Sequence, residues 1–208
     1  MKLYPIVEGQ GEVEAAPVLL RRLVAEAGCL GLGIGTPIRR TQSQFHRREE
    51  VQKAVALALA HEDCSAVLLL FDGEDECPKD LAAQVIAWAR ETSGATPCEV
   101  VIAYREFETW FLAAVDSLRG RRGVRDDAVA PPYPEASRDA KGALEKLMRP
   151  NRGYKETSDQ AAFSAAFDLG LAHRRNRSFR KLVKAVGEVL TQLGHPLPVW
   201  PPDGWTAD

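Results

Sequence analysis

The sequence has little that points to a membrane, a disulfide framework or a nucleotide-binding loop. None of its hydrophobic runs approaches the ~18 residues that a transmembrane helix needs, so we expect no contact with a membrane. Its four cysteines are scattered singly, without a CxxC pair, which predicts neither a zinc knuckle nor disulfides. The first residues, MKLYPIVEG, are too few and end too acidic for a signal peptide, and we therefore expect a cytoplasmic protein.

The overall charge is also too small to indicate a partner. The 208 residues carry a net charge of −2, with 45% hydrophobic and 27% charged residues, which is ordinary for a globular protein. This length suits one α/β domain, with or without an appended subdomain. The charges are nevertheless segregated, because acids gather at particular turns before residue 110 and basic residues cluster at 119–125 and 174–184.

Alternating strand and helix patterns occupy the first half of the chain and predict an α/β fold with a mainly parallel sheet flanked by helices. The stretch SAVLLLFD is uninterruptedly apolar, which indicates a strand buried on both faces. In the first strand, Pro5 predicts a strand start, a bulge or an edge, and Pro17 predicts that the first helix begins nearer Ala15 than Glu12. The predicted strands are 2–8, 35–41, 65–72 and 98–104, and the predicted helices are 12–27, 47–63, 79–92 and 106–118.

The second half of the chain shows a change of character at residue 119. Residues 119–137 contain three prolines and four arginines without an apolar period, which predicts a basic loop or lid. Helical patterns follow at 138–148, 156–173 and 177–192. We therefore divide the chain into a core at 1–118, the loop at 119–137, and a helical extension at 138–208 that packs on the core.

The segment IVEGQGE looks at first like a phosphate-binding loop, because a strand, two glycines and a helix follow one another. The third glycine of a GxGxxG motif is replaced by Glu14, however, and Glu8, Glu12 and Glu14 would repel a pyrophosphate. A helix dipole favours carboxylates such as Glu12 and Glu14 in the first turn. It does not account for Glu8, which ends a strand at the edge where open α/β sheets bind ligands.

A second acidic turn follows the buried strand. Asp72, Glu74, Asp75 and Glu76 lie within five residues, and so many like charges are unfavourable unless they are solvated or bind a cation. A solvated loop explains Asp75 and Glu76 as well as a ligand role does. If the strands that end in Glu8 and Asp72 are parallel neighbours, their carboxylates converge on a site that suits Mg²⁺ or Mn²⁺. Such sites typically act on phosphodiesters.

These two motifs resemble the Toprim fold of topoisomerases, bacterial primases and OLD-type nucleases. The segments IVEGQGEVEAAPVLLRRL, LLLFDGEDECP, YREFETWFLAA, YKETSDQ and RSFRKL together are similar to the DUF4276 family of Toprim-like bacterial proteins, across about residues 3–185. The resemblance implies that Glu8 is a general base or metal ligand, and that Asp72 and Glu74 form the metal-binding pair. Glutamates replace the second and third aspartates of the Toprim pattern, so the individual contributions of Glu74 and Glu76 stay open.

Three further residues are candidates because they lie near the same edge. Glu108 could bind or support a metal, or it could simply be a helix-start carboxylate. Arg105 could hold a phosphate or neutralise the acids, and Lys155, before a helix that Ser158 could cap, could meet a phosphate or be a surface lysine. The apolar residues around Glu108, namely Phe107, Trp110, Phe111 and Ala114, are expected in the core.

The resemblance implies Mg²⁺- or Mn²⁺-dependent hydrolysis of DNA or RNA, in antiphage defence beside an ABC-type ATPase partner. The candidate metal ligands are Glu8, Glu12, Asp72, Glu74, Glu76 and Glu108, and the candidate catalytic residues are Glu8, Arg105 and Lys155. The basic segments would hold the nucleic-acid backbone or face a partner protein. The alternatives are a non-catalytic, Toprim-like regulatory subunit of the ATPase and a hydrolase of small phosphate compounds.

Overall fold

A computed structural model describes residues 1–73 and 76–206. The chain alternates strands and helices up to α5 and is helical after it. The strands are β1 (Lys2–Val7), β2 (Gly33–Ile34), β3 (Ile38–Arg39), β4 (Cys64–Asp72) and β5 (Cys98–Ala103). The α-helices are α1 (Gln10–Glu26), α2 (Gln42–Phe45), α3 (Arg48–Leu59), α4 (Pro78–Ser93), α5 (Glu108–Ala113), α6 (Ala140–Glu145), α7 (Glu156–Ser164), α8 (Leu169–Arg175) and α9 (Arg177–Gln192), with 3₁₀ turns at Val115–Leu118 and Pro134–Ala136.

The strands form one parallel sheet in the order β2-β1-β4-β5, with β3 also paired to β1. The predicted α/β class with a mainly parallel sheet is therefore confirmed. β1 and β4 are direct neighbours, with Val7 opposite Leu70, and β4 and β5 are neighbours up to the pair Asp72 and Ala103. The three long strands consequently end side by side at one edge of the sheet.

Successive residues of β4 point to opposite faces of the sheet, and both faces are covered. Leu68 and Leu70 belong to a core with α1, α5 and the C-terminal helices, whereas Val67, Leu69 and Phe71 belong to a core with α3 and α4. This double burial explains the uninterrupted apolar run of β4 that the sequence displays.

Pro5 lies in the middle of β1. It marks neither the start of the strand nor an edge strand, and the irregularity in the pairing with β4 lies between Lys2 and Leu3, not at Pro5. β2 pairs with Lys2 and Leu3, and β3 pairs with Ile6 and Val7, so the break between these two short strands falls beside Pro5. A residue that cannot donate a backbone hydrogen bond is tolerated where the neighbouring ladder is interrupted.

Several predicted boundaries are wrong. α1 begins at Gln10 and not near Ala15, because Glu12 accepts hydrogen bonds from backbone groups before the helix and so fixes its first turn. The predicted helix 156–173 is two helices, since Asp168 caps a new one through the N–H of Leu171. The cap of α7 is Lys155 and not Ser158, which lies inside the first turn.

The C-terminal helices complete the core of the sheet. α7 packs on α1, and α9 packs on β5. Phe163, Phe179 and Leu182 are fully buried in the same hydrophobic cluster as Leu3 and Leu70 of the sheet. The loop at 119–137 is held to these helices by Arg122, which donates to the buried carboxylate of Asp159 at 3.1 Å. Among the described residues, no helix is long and apolar enough to cross a bilayer.

Candidate active site

Glu8 and Asp72 meet at the carboxyl edge of the sheet, as expected for the ends of parallel neighbours. Glu8 directly follows β1, and its Oε2 accepts a hydrogen bond of 3.2 Å from the backbone N–H of Asp72. The Oδ1 of Asp72 accepts another, of 2.9 Å, from the N–H of Phe107, in the turn after β5. A backbone N–H at the end of β4 and another in the turn after β5 therefore orient these two carboxylates.

Glu12, in the first turn of α1, lies beside these two carboxylates. We call the carboxyl edge of the sheet between the starts of α1 and α5, where these acids lie, the crevice. Glu12 is buried, and its Oε2 accepts hydrogen bonds from the N–H groups of Glu8 and Gly9, at 3.0 and 3.2 Å. Burial raises the pKa of Glu12 to about 8, with smaller contributions from the charges of Glu8 and Glu108. Oε2 of Glu12 thus stabilises the start of α1. The effect of Glu8 and Glu108 on its pKa shows that the carboxylate also lies close to the other acids of the crevice.

Glu108 begins α5 and is fully buried. Its Oε1 accepts hydrogen bonds from the hydroxyl of Tyr154 at 2.9 Å and from Nε2 of Gln160 at 3.4 Å. Its Oε2 is buried and has no hydrogen-bond partner among the described residues. Burial raises the pKa of Glu108 to about 7. A buried carboxylate oxygen without a donor is unfavourable unless a proton or a cation binds it.

The four carboxylates affect one another. Burial, followed by the charges of Glu12, Glu108 and Glu8, raises the pKa of Asp72 well above its ordinary value. Burial is the main cause of the raised pKa of Glu12, Asp72 and Glu108, and the charges of neighbouring acids add to it for Glu12 and Asp72, so ionisation of the whole cluster is unfavourable without a bound cation. Such clusters bind protons or metal ions, and they are common at functional sites.

The crevice suits a cation that takes few protein ligands. Within residues 1–73 and 76–206, no three His, Cys, Asp or Glu side chains are positioned to hold a metal ion together. Mg²⁺ usually binds one or two carboxylates and completes its octahedron with water and phosphate oxygens. Asp72 and Glu108 offer carboxylate oxygens for such binding, whereas an enclosed protein cage is not formed by the described residues.

Lys141 is the functional candidate that sequence patterns missed. Its ammonium lies 2.8 Å from Oε2 of Glu156, and the charges of Glu108, Glu156 and Asp72 raise its pKa, against the effect of burial. The backbone N–H of Lys141 donates to Oε2 of Glu106, in the turn after β5, at 3.2 Å. No sequence motif marks Lys141. It reaches the crevice only through the tertiary packing of α6 and α7.

The glycines of the GQG segment allow α7 to pack closely over the crevice. A Cβ added to Gly11 would lie 2.2 Å from Oε1 of Gln160 and 2.9 Å from the backbone oxygen of Glu156. A Cβ on Gly9 would lie 3.2 Å from Oε1 of Glu156. The segment thus contributes to a close contact between α1 and α7, the helix that brings Gln160 to Glu108.

The remaining candidates that the sequence indicated are Arg105, Lys155, Glu76 and Glu74. Arg105 has a left-handed backbone, with a φ of 65°, and its guanidinium lies 5.3 Å from the ring centre of Tyr104. The side chain of Lys155 is exposed. Glu76 is also exposed, and its Oε1 lies 3.6 Å from Nδ1 of His46. Glu74 is outside the described residues.

Comparisons with known proteins identify the family and nothing more. Residues 7–187 match a family model described as "Domain of unknown function (DUF4276)". No curated protein matches the chain, and no solved structure matches it. The family that the sequence motifs indicated is therefore confirmed. Since the match covers most of the chain and includes all four crevice carboxylates, the chain belongs to the DUF4276 family.

Proposed function

We propose that this protein is a Mg²⁺- or Mn²⁺-dependent phosphodiesterase that cleaves nucleic acid. The observation that carries the proposal is the convergence of Glu8, Glu12, Asp72 and Glu108 on one crevice, with Oε2 of Glu108 buried and without a hydrogen-bond donor among the described residues. An acidic, all-oxygen site of this kind suits a hard divalent cation. The resemblance to Toprim and OLD-type nucleases adds support from the motifs around Glu8 and Asp72.

Each residue has a specific task in this proposal. A bound cation would polarise the scissile phosphate and orient the attacking water. Asp72 and Glu108 would hold the cation with Glu74, and Glu8 would serve as the base that accepts the proton of the water. The N–H of Phe107 keeps the Asp72 carboxylate in place, and Tyr154 does the same for Glu108. Lys141, at the same crevice, would bind a phosphate oxygen.

Cleavage assays test this proposal directly. Single- and double-stranded DNA and RNA are incubated with the wild-type protein in Mg²⁺ or Mn²⁺, and with Glu8→Gln. We expect cleavage that requires the metal and falls at least about a hundredfold in the variant, as for loss of a group that acts in the transition state. Glu14→Gln removes the same charge from an exposed position of α1 and should cleave like the wild type. Equal activity of wild type and Glu8→Gln would contradict the proposed site.

Metal binding separates the enzyme from a non-catalytic alternative. We expect Mg²⁺ or Mn²⁺ to bind the wild type at millimolar concentration in calorimetry, and Asp72→Asn to bind it more weakly. If neither ion binds, the enzymatic proposal fails, and a regulatory subunit of an ABC-type ATPase becomes the better explanation. The ATPase partner and a function in antiphage defence rest on the family resemblance alone, and co-purification of a tagged chain from its native host tests them.

A further inference from the structure

The basic residues between Arg174 and Lys184 fall into two groups. The first group contributes to local structure: Arg174 donates to the backbone oxygen of Gly204, Arg175 contacts Asp116 and the backbone oxygen of Ala113, and Arg180 donates to the backbone oxygens of His173 and Arg174. These contacts fix α8 and the chain end, so this part of the basic segment does not require a ligand to explain it.

The second group forms a stripe on the exposed face of α9. Arg177, Lys181 and Lys184 are all exposed and occupy positions i, i+4 and i+7, which lie on one side of a helix. At 1.5 Å per residue, they span about 10 Å along the helix axis. Lys184 forms an ion pair of 3.2 Å with Glu188. We call these three residues the α9 stripe.

The start of this stripe is not explained by the stability of α9. Arg177 is the first residue of the helix, and the first turn contains no acidic residue. A helix N-terminus carries partial positive charge, so a cation there is unfavourable. In α8, by contrast, the basic residues lie in the last turn, where the dipole favours them. Oε1 of Glu135 accepts a hydrogen bond from the backbone N–H of Ser178 at 2.7 Å, so this carboxylate already compensates the dipole at the start of α9. What remains available to attract an anion is the row of exposed side-chain cations, not the helix N-terminus.

The stripe begins beside the helix that carries Glu108 and leads away from it. Asn176, the cap of α9, donates to Oγ1 of Thr109 at 3.2 Å, and Thr109 directly follows Glu108. At the other end, the charges of Lys184 and Glu188 affect the pKa of Glu99, near the start of β5. α9 therefore runs antiparallel to β5, from the carboxyl edge of the sheet towards the opposite edge.

We propose that the α9 stripe binds the phosphate backbone of a nucleic-acid strand and guides it to the carboxylate crevice. The acidic crevice repels phosphates, so a polyanionic substrate needs cations close by that attract it. The start of α9 lies against the first turn of α5, which carries Glu108, so Arg177 supplies a cation at that end, and Lys181 and Lys184 continue the positive charge along the helix. This inference rests on the proposed function, and it names the surface by which the substrate is held.

The test measures binding of labelled single- and double-stranded oligonucleotides at several salt concentrations. All variants are made in the Glu8→Gln background, so that cleavage does not interfere. Each of Arg177→Gln, Lys181→Gln and Lys184→Gln should make the slope of log K against log[salt] less steep, by about 0.7 for single strands or 0.9 for duplexes. If the parent and the triple variant bind equally at 1 M salt, the triple variant should bind more weakly than the parent at 0.1 M salt, by about a hundredfold for single strands and about five hundredfold for duplexes.

Lys53→Gln is the matched control. Lys53 is as exposed as Lys184 and also pairs with a glutamate on its own helix, but it lies on α3, across the sheet. It should leave the salt slope unchanged, and circular dichroism confirms that each variant is folded. Stripe variants with the parental slope, or a parent that binds no oligonucleotide, would overturn the inference. Altered slopes without any cleavage by the wild type would support the stripe and refute the hydrolase.

Discussion

At the scale of single residues, Glu12 has two tasks, one that needs an acceptor oxygen and one that needs the charge. Its Oε2 accepts backbone hydrogen bonds from Glu8 and Gly9 and so fixes the start of α1. The charge of the same carboxylate adds to the acidic crevice. Removal of the charge and removal of the acceptor should therefore have separable effects on stability.

The raised pKa of Glu12 predicts a pH-dependent effect of Glu12→Gln. The ordinary pKa of a glutamate is 4.5, and burial raises that of Glu12 to about 8. Between these values the unfolded chain releases a proton that the folded protein retains, so the wild type loses stability as pH rises. Glu12→Gln keeps an acceptor oxygen but cannot ionise. Its melting temperature, measured in EDTA, should rise relative to the wild type between pH 5 and pH 8.5.

The expected change is several degrees, since ~1 kcal/mol shifts the melting temperature of a chain of this size by about 2–4 °C. Glu14→Gln is the control, because it changes the same charge on the exposed side of α1. A constant difference between Glu12→Gln and the wild type over the whole pH range would show that the Glu12 carboxyl does not titrate in this interval.

At the scale of elements, the close approach of α1 and α7 determines the shape of the crevice. Gly11 lies where α7 passes over α1, and the backbone of Glu156 leaves no space for a Cβ. α7 carries Gln160, which donates to Glu108. The packing of these two helices is thus linked directly to the geometry of the acidic cluster.

Gly11→Ala should destabilise the protein, although alanine normally stabilises a helix interior by roughly 0.5–1 kcal/mol relative to glycine. Here the added Cβ would lie 2.9 Å from the backbone oxygen of Glu156, and forced shifts of this kind cost about 1–3 kcal/mol. Urea unfolding measures the difference. Gly31→Ala is the control, because a Cβ there meets nothing within 4 Å and should change stability little. A stabilised Gly11→Ala would mean that α7 does not approach α1 so closely.

The turn after β5 gives a second prediction at this scale. Arg105 has a φ of 65°, and a left-handed backbone costs a residue with a side chain about 1–2 kcal/mol relative to glycine. Arg105→Gly should therefore be more stable than Arg105→Ala by about that amount, since both variants lack the guanidinium. Thermal unfolding of the pair measures this difference, and equal stabilities would show that the turn is not strained.

The sequence predicted the elements of the sheet better than it predicted the site around them. The apolar run of β4 and the acids after β1 and β4 are local signals, and they were enough to indicate that Glu8 and Asp72 meet. Lys141 and Tyr154 reach Glu108 and its neighbours only because α6 and α7 fold back over the sheet. No local pattern marks such contacts, since they depend on the packing of helices more than 30 residues away.

At the scale of the whole molecule, the division into a core and a C-terminal extension does not correspond to separate hydrophobic cores. One cluster joins Leu3 of β1 and Trp110 of α5 to Phe163 of α7 and Leu190 of α9. The ring of Trp110 packs on Phe179 with ring centres 5.4 Å apart, and its Nε1 donates to Ser178 at 2.9 Å. The sheet and the C-terminal helices should therefore be stable only together.

This shared core predicts a single cooperative unfolding transition. Urea unfolding followed by tryptophan fluorescence and by far-ultraviolet circular dichroism should give coincident curves. A chain shortened to residues 1–137 should lack fixed tertiary structure, seen as a lost near-ultraviolet signal, because it exposes the apolar surface that α7 and α9 cover. Two separate transitions, or a folded shortened chain, would contradict this expectation.

The double task of Glu12 affects how relatives of this protein can be compared. A hydrogen-bond acceptor at this position supports folding even in a descendant that has lost all catalysis, so a glutamate or a glutamine there says little about activity. Glu108 differs, because its Oε2 has no hydrogen-bond partner among the described residues and its burial is unfavourable for folding. An acid retained at the position of Glu108 would therefore distinguish active members from inactive ones.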